Sequence, residues 1–283
     1  MSRVYSCDLC DSGSFHTKLK LTRSLGITDD AKFNVVKCKA CGLHSLHPIP
    51  DDDEFKLIYK YYAQKGNRLD VENKRLKEVY PRKVEFIQKY FKDAKTVLDI
   101  GAGNGGFVSL ASSMGYDVIG IELEKSQVEL AKQVFKVDLI HSSIEDFSKI
   151  EHRKFDVINL HHVFEHVQEP FNILMIIKRL LSPNGIVLIE VPNQFFRFPN
   201  KLYFELGLKD YRKPYNPYHH LYFYSKKHLL SYFNKTGFDV VFFNDKMPAI
   251  NVKHRAKNLI SKAFNLSPSH IFEMVLQNKL NNL

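Results

Sequence analysis

From residue 96 onward, short runs of apolar residues alternate with segments whose apolar residues recur at helical spacing. The apolar runs predict strands at 96–100, 117–122, 137–140, 155–160, 186–191, 239–244 and 271–278. The segments with helical spacing predict helices at 107–114, 170–181 and 226–235, and a further helix that begins at 126. Strands and helices that alternate in this way form right-handed βαβ units. We therefore predict an α/β fold whose mostly parallel sheet, antiparallel at its last strand, carries helices on both faces.

The residues before this alternation divide into two parts. Residues 1–50 carry two pairs of cysteines, and residues 51–95 are rich in Tyr, Lys and Leu, with helices predicted at 54–64 and 71–92. We interpret 51–95 as a helical bridging region that leads to a third unit, residues 96–283. Within that unit, the insertion at 193–224 is rich in Phe, Tyr, Asn and Pro and is typical of a substrate lid; an aromatic packing layer is the alternative.

The four cysteines of the chain lie in two CxxC pairs, Cys7 with Cys10 and Cys38 with Cys41. Two intervening residues let both sulfur atoms of a pair face one ion, and four thiolates suit tetrahedral Zn²⁺ at about 2.3 Å. We predict a zinc-binding module with four cysteine ligands over residues 1–50. Because four protein ligands leave no open coordination position, the zinc is expected to be structural. A redox-active cysteine pair is the alternative.

The composition, 44% hydrophobic and 25% charged, is that of a globular protein and excludes a disordered or low-complexity chain. The net charge of +10 is unevenly distributed. Residues 96–195 carry 8 basic and 13 acidic side chains, whereas both flanks have a basic excess. An acidic centre is unfavourable for a polyanionic cofactor and tolerates a cationic one.

No apolar run approaches the roughly 18–20 residues that a bilayer span requires, and the N-terminus lacks the apolar stretch of a signal peptide. We therefore expect a cytoplasmic protein without a membrane span, whose reduced cysteines are available as metal ligands. The basic amphipathic segment 252–264 predicts a surface helix, and contact with a membrane or a polyanion is the alternative.

A glycine-rich turn follows the first predicted strand of the α/β unit. Gly101, Gly103 and Gly106 satisfy the pattern GxGxxG, and Glu122 lies 21 residues after Gly101, where an acid that binds ribose belongs. Asp99, two residues before the first glycine, would face the pyrophosphate of a dinucleotide at close range. S-adenosylmethionine has no phosphate and carries an ammonium and a sulfonium group, so an acid at this position favours it over NAD.

Several segments, in order along the chain, resemble class I S-adenosylmethionine-dependent methyltransferases. They are the glycine segment 97–105 (motif I), the second-strand acid at 120–122, the adenine-binding segment 142–147, the fourth strand with its Glu-His-Val loop at 155–167, and the turn and strand at 180–193. Segment 219–225 is similar to one in a bacterial subgroup that also carries an N-terminal CxxC…CxxCG module, which resembles a zinc ribbon. The resemblance covers most of residues 5–50 and about 95–245, and it implies a Rossmann-like, seven-stranded sheet.

This resemblance implies S-adenosylmethionine as the cofactor and assigns residues to it. The implied cofactor-binding residues are Asp99, Gly101, Gly103, Gly105, Glu122, Leu123, Ile144, Glu145 and His161. In the family, the glycine backbone passes close to the methionine part, the acid before it orients the ammonium group, and the second-strand acid accepts both ribose hydroxyls. Leu123 and Ile144 would then enclose adenine, with Glu145 or Ser143 as the polar partner of its exocyclic amine.

Methyl transfer is an in-line displacement at the methyl carbon. The enzyme supplies alignment, exclusion of water and, where needed, a base for the proton of the acceptor. The candidate bases are histidines that follow predicted strands at the carboxyl end of the sheet: His166, His220 and His162. Glu165 is a candidate to orient a neighbouring histidine, and stabilisation of a helix N-terminus is its alternative role.

The resemblance implies a small-molecule or a sugar or glycan acceptor, with O-methylation favoured and C-methylation as the second reaction. RNA methylation is the competing class, since a zinc ribbon and a net charge of +10 are compatible with RNA. Against it, the chain has no Asn-Pro-Pro-Tyr motif for exocyclic amines and no cysteine outside the two pairs. A non-catalytic S-adenosylmethionine-binding module is the third interpretation, and the intact Asp99, glycine turn and Glu122 argue against it.

Overall fold

The computed structural model of the chain describes residues 6–20, 33–51, 53–57, 75–193, 220–246 and 269–279. Most of the predicted lid (194–219) and the basic segment 252–264 lie outside these residues. Within the described ranges, no helix combines the length and apolar character that crossing a bilayer requires.

The strands of the described residues form two sheets. They are β1 (Phe15–Lys20), β2 (Asn34–Cys38), β3 (His44–His47), β4 (Thr96–Ile100), β5 (Asp117–Glu122), β6 (Ile140–His141), β7 (Phe155–His161), β8 (Leu181–Pro192), β9 (Tyr222–Phe223), β10 (Phe238–Asn244) and β11 (Ile271–Asn278). The large sheet has seven strands in the order β10-β11-β8-β7-β4-β5-β6. The strands from β8 to β6 are parallel, and β11 runs antiparallel to β8 and β10. The predicted Rossmann-like, seven-stranded, mostly parallel sheet is confirmed.

Helices cover both faces of the large sheet. They are α1 (Tyr80–Tyr90), which a π-helical turn at Arg75–Val79 precedes, α2 (Gly106–Ser113), α3 (Lys125–Val134), α4 (Ile144–Ile150), α5 (Pro170–Leu180) and α6 (Lys226–Thr236). Successive side chains of a strand point to opposite faces. In β4, Val97 therefore packs in one core cluster with Ile87 of α1, and Leu98 packs in another with Ile173 of α5. Burial on both faces explains why the parallel strands read as continuous apolar runs.

Several predicted boundaries shift in the structure. The strand expected at 137–140 is reduced to Ile140–His141. Helix α3 begins one residue before Ser126, because the carboxylate of Glu124 caps it by accepting a hydrogen bond from the Ser126 N–H. The turn expected at the start of segment 180–193 lies inside β8, where the pairing with β7 jumps from Leu181 to Ile186 and leaves residues 182–185 as a bulge. Helical residues of the bridging region are described at 53–57 and 75–90.

The small sheet joins the cysteine-containing segment to a distant part of the chain. Its order is β1-β2-β3-β9, and β9 pairs antiparallel with β3. The carbonyl of Leu221 accepts a hydrogen bond from the Leu46 N–H at 2.8 Å, and the Leu221 N–H donates to the carbonyl of Glu165 at 2.9 Å. Residues 220–223 therefore connect the small sheet with the loop that follows β7.

Candidate functional site

A cleft of about 1400 Å³ opens at the carboxyl edge of the large sheet. The loop around the first cysteine pair forms one wall through Ser6, Asp8, Leu9 and Asp11. Seven residues predicted from the sequence line the cleft together: Gly101, Glu122, Leu123, Ser143, Ile144, Glu145 and His166. Among the described lining residues, the other predicted members of the site do not appear.

The glycine-rich turn after β4 requires glycine at two positions for steric reasons. Gly101 and Gly105 have φ angles of 69° and 80°, in the left-handed region. A Cβ on Gly101 would lie 2.5 Å from Val163, and one on Gly105 would lie 2.6 Å from Val137. Gly103 also has a positive φ of 55°, with no atom within 4 Å of its notional Cβ. The turn thus brings its backbone to the cleft at Gly101 and packs tightly on either side.

Glu122 ends β5 at the cleft with a carboxylate whose orientation is fixed. One oxygen accepts a hydrogen bond from the Gly103 N–H at 2.8 Å, and the other accepts one from the Glu124 N–H at 2.9 Å. The side chain is buried, and burial raises the pKa of Glu122 although these backbone hydrogen bonds act in the opposite direction. The carboxylate is therefore preorganised to accept hydroxyl donors from the cleft.

Leu123 and Ile144 face the part of the cleft next to Glu122. Leu123 is 37% exposed, whereas Ile144 is buried. Ser143 and Glu145 line the same part, and the Ser143 hydroxyl caps α4 by accepting a hydrogen bond from the Asp146 N–H at 3.1 Å. An apolar pair flanked by polar groups is suited to a flat heteroaromatic ring.

Asp99 lies behind the glycine turn, in a buried polar chain that the sequence analysis did not find. The Asn159 side-chain amide donates a hydrogen bond to the Asp99 carboxylate at 2.6 Å. The Asn159 amide oxygen accepts one from the Lys83 ammonium at 3.2 Å. A signal was present in the sequence, because Lys83 interrupts the apolar stripe that Tyr80, Val84 and Ile87 form on α1.

Glu165, in the loop that follows β7, forms the centre of a group of three histidines, of which His166 borders the cleft. Its carboxylate oxygen Oε1 lies 3.3 Å from His162 Nδ1, 3.7 Å from His166 Nε2 and 3.9 Å from His220 Nε2. The rings of His166 and His220 meet edge to face, with centroids 4.8 Å apart. Glu165 is fully buried and His166 borders the cleft, so a buried carboxylate lies beside a histidine that faces the ligand space.

His162 bridges two buried carboxylates. Its Nδ1 faces Glu165, and its Nε2 lies 3.2 Å from Glu190 Oε1. Its backbone is in the left-handed region, with a φ of 56°. Burial alone would lower the pKa of His162, but the hydrogen bonds and negative charges of the two carboxylates outweigh it and raise the pKa to about 9. A protonated imidazole has no lone pair to accept a proton, so this geometry does not fit His162 as a general base.

His161, predicted as a cofactor contact, lies on the α1 side of the sheet. Its Nδ1 is 3.4 Å from Glu190 Oε1, and its ring meets Tyr80 edge to face. Burial, and then the charge of Lys83, lower the pKa of His161 well below its ordinary value. Like Asp99, His161 does not appear among the described residues that line the cleft, so its contact with the cofactor stays a prediction.

The four cysteines converge on one point with the geometry of a metal site. The sulfur atoms of Cys7 and Cys41 are 3.6 Å apart, as are those of Cys10 and Cys38, and all four lie within 4.8 Å of one another. A tetrahedral Zn²⁺ with Zn–S bonds of about 2.3 Å separates its sulfur ligands by about 3.8 Å. The hydrogen bond between Cys7 and Cys41 lowers the pKa of Cys41 to about 5 and raises the pKa of Cys7, so it favours the thiolate at Cys41 only. The donor set therefore fits zinc.

Comparison with known proteins gives one family and several relatives. A family model described as a methyltransferase domain matches residues 73–241. The ubiquinone biosynthesis O-methyltransferase of Histophilus somni is 28% identical over 135 residues, which are 44% of this chain and 57% of that protein. The protein of the same name from Aromatoleum aromaticum is 31% identical over 132 residues, 44% of this chain and 56% of the relative. The chain thus spans little more than half the length of these relatives.

Solved structures with a similar fold include two methyltransferases. An S-adenosylmethionine-dependent methyltransferase from Archaeoglobus fulgidus has a TM-score of 0.51 and 20% sequence identity. The superposition covers 72% of this chain and 94% of that protein's chain. The plantazolicin methyltransferase BpumL in complex with S-adenosylhomocysteine has a TM-score of 0.53 and 17% identity, covering 82% and 91%. At these identities the likeness concerns the fold.

Proposed function

The chain belongs to the methyltransferase-domain family, and from this premise we propose that it transfers the methyl group of S-adenosylmethionine to a hydroxyl group of a small molecule. The observation that carries the proposal is the shared cleft. Glu122 and Leu123 lie at the end of β5, and His166, beside a buried carboxylate, follows β7 on the other side of β4, so the nucleoside and the acceptor are proposed to occupy these two parts of the cleft. The O-methyltransferase names of the relatives support oxygen as the methylated atom.

The cofactor half of the cleft is proposed to hold S-adenosylmethionine through the residues around β4 and β5. Glu122 accepts hydrogen bonds from the ribose hydroxyls, and Leu123 and Ile144 enclose the adenine ring. Asp99 directs its negative charge towards the ammonium group of the methionine part from behind the glycine turn. When bound, the cofactor supplies an electrophilic methyl group on a sulfonium, so the chain has only to align the acceptor and receive its proton.

The acceptor half is proposed to use His166 as the general base. It borders the cleft, and the Glu165 carboxylate beside it stabilises the imidazolium that forms when the proton is received. His220 packs against His166 and is the second candidate. His162 is assigned a different role, in which its positive charge balances Glu165 and Glu190.

The charges of the cleft favour a compact acceptor without phosphate groups. Among the described residues that line it, six supply carboxylates and two supply ammonium groups: Asp8, Asp11, Glu122, Glu145, Asp146 and Glu169 against Lys56 and Lys235. The Lys235 ammonium is engaged by the carbonyl of Leu9 at 2.6 Å. A nucleic-acid backbone would meet repulsion here, so RNA methylation is disfavoured. A sugar hydroxyl belongs to the same neutral class as the proposed acceptor.

The cysteine module is proposed to bind one structural Zn²⁺ through Cys7, Cys10, Cys38 and Cys41. The ion would cross-link the loop that forms one wall of the cleft to the turn between β2 and β3. Its role is then to hold that wall against the large sheet.

The proposed function is tested by methyl transfer to an unbiased set of acceptors. The purified protein is incubated with methyl-labelled S-adenosylmethionine and a cell extract that has been separated into RNA, protein, glycan and small-molecule fractions. We expect label in the small-molecule fraction, or on glycan hydroxyls. Label confined to RNA would replace the proposal by its main alternative, and binding without transfer to any fraction would indicate a non-catalytic module.

A further inference from the structure

Lys83 is a buried cation at the centre of α1. It is 2% exposed and lies on the helix face that Tyr80, Val84 and Ile87 pack against the sheet. Burial lowers the pKa of Lys83 below its ordinary value, although the negative charges of Glu190, Glu273 and Asp99 act in the opposite direction. Burying an ammonium group costs free energy that an apolar side chain of similar size would not cost. Packing of α1 therefore does not explain a lysine here.

The hydrogen bonds of Lys83 determine the orientation of a neighbouring amide. An ammonium group only donates, so its contact of 3.2 Å identifies the facing atom of Asn159 as the amide oxygen. The NH₂ group of Asn159 must then point the other way, where it donates to the Asp99 carboxylate at 2.6 Å. Asn159 and Asp99 are paired in register on adjacent parallel strands, so both side chains extend from the same face of the sheet.

We propose that Lys83 is a positioning residue for the cofactor, which acts through Asn159 to fix the Asp99 carboxylate towards the ammonium group of S-adenosylmethionine. The inference rests on the proposed function. A direct ion pair between Lys83 and Asp99 would neutralise the carboxylate and compete with the ligand for it. A neutral amide between them fixes the carboxylate and leaves its negative charge to act on the cofactor.

The test compares two ligands that differ in the amino-acid part, which carries the ammonium group. S-adenosylhomocysteine carries the amino-acid part, and 5′-methylthioadenosine has the same adenosine and thioether without it. The variant is Lys83→Met, and its matched control is Lys89→Met on the outer side of the same helix. We expect Lys83→Met to weaken S-adenosylhomocysteine binding about tenfold, the loss of one hydrogen bond of a charged group. Binding of 5′-methylthioadenosine should change less than about twofold, and the control should change neither.

A second variant keeps the test decisive if Lys83→Met does not fold. Asn159→Ala removes the same relay without burying a new group and is expected to show the same selective loss. Equal losses for the two ligands, or no loss for either, would overturn the positioning role, because a structural defect does not discriminate between them. A wild-type chain that binds neither ligand would instead overturn the proposed function, and this inference with it.

Discussion

The carboxylate of Asp8, in the loop between the first two cysteines, accepts a hydrogen bond from the backbone N–H of Phe171 at 3.1 Å. Phe171 lies in the first turn of α5, which begins just after the histidine-rich loop. Both residues line the cleft, so this contact holds the cysteine loop in place as one of its walls. The cysteine module is therefore part of the candidate site and not a separate appendage.

Removing one metal ligand should loosen this wall. We expect elemental analysis to find about one zinc per wild-type chain and much less in Cys10→Ser, because three thiolates hold the ion less firmly than four. Thermal unfolding should show a lower melting temperature for the variant. His16→Ala, which changes an exposed histidine on β1 of the same module, is the control. A metal-free wild-type chain that melts at the same temperature as the zinc-loaded one would contradict the structural role.

Glu122→Gln should weaken cofactor binding by about 1–3 kcal/mol, the usual cost of losing a hydrogen bond to a charged group and leaving its partner unsatisfied. Glutamine retains one acceptor oxygen for the Gly103 or Glu124 N–H but turns its NH₂ group towards the other, so thermal unfolding of the variant is measured beside its affinity. Calorimetric titration with S-adenosylhomocysteine measures the change. Glu129→Gln on the exposed face of α3 is the matched control, and equal affinities of the two variants would remove Glu122 from the site.

His166→Ala should lower methyl transfer by about 10²–10⁴-fold, the contribution typical of a general base. Cofactor affinity should stay nearly constant, because the imidazole lies at the acceptor end of the cleft. The label-transfer assay measures both this variant and His220→Ala, with the exposed His152→Ala as control. If His220→Ala shows the larger loss, the assignment of the base moves to His220, and if neither matters the acceptor needs no histidine base.

The charge of His162 predicts how stability depends on pH. Its pKa is raised to about 9 in the folded chain from an ordinary value of 6.5. The folded state therefore holds this proton more tightly, and the resulting stability is fully present below about pH 6.5 and is lost as the pH rises through about 9. We expect the free energy of unfolding to fall more steeply between pH 7 and pH 9.5 in the wild type than in His162→Gln. Urea titrations at about six pH values measure it. Parallel curves would show that the two carboxylates do not hold a proton on this histidine.

The fold was predictable because its signals are local. Each strand of the large sheet is a compact apolar run, and the glycine turn at Gly101 and the acid Glu122 follow at family spacing. The short strand β9 was not predictable in this way. Two residues, Tyr222 and Phe223, pair with a strand almost 180 residues earlier in the chain, and no periodicity within so short a segment encodes its partner.

The site was predictable to the extent that it follows motifs. Leu123, Ile144 and His166 all line the cleft, and their roles there stay predictions. The charge on His162 depends on Glu190, which reaches it from the next strand of the sheet, and the relay from Lys83 to Asp99 joins side chains of a helix and two strands. Such contacts arise from tertiary packing, so residue spacing alone does not reveal them.

The most direct measurement is calorimetric titration of the wild-type protein with S-adenosylhomocysteine and, separately, with NAD. We expect micromolar binding of S-adenosylhomocysteine, with a stoichiometry of about one, and negligible heat with NAD. The reason is that S-adenosylhomocysteine has no phosphate, whereas the pyrophosphate of NAD would be repelled by the carboxylates of Glu122 and Asp99. Tighter binding of NAD than of S-adenosylhomocysteine would contradict the assignment of the cleft and, with it, the proposed methyl transfer.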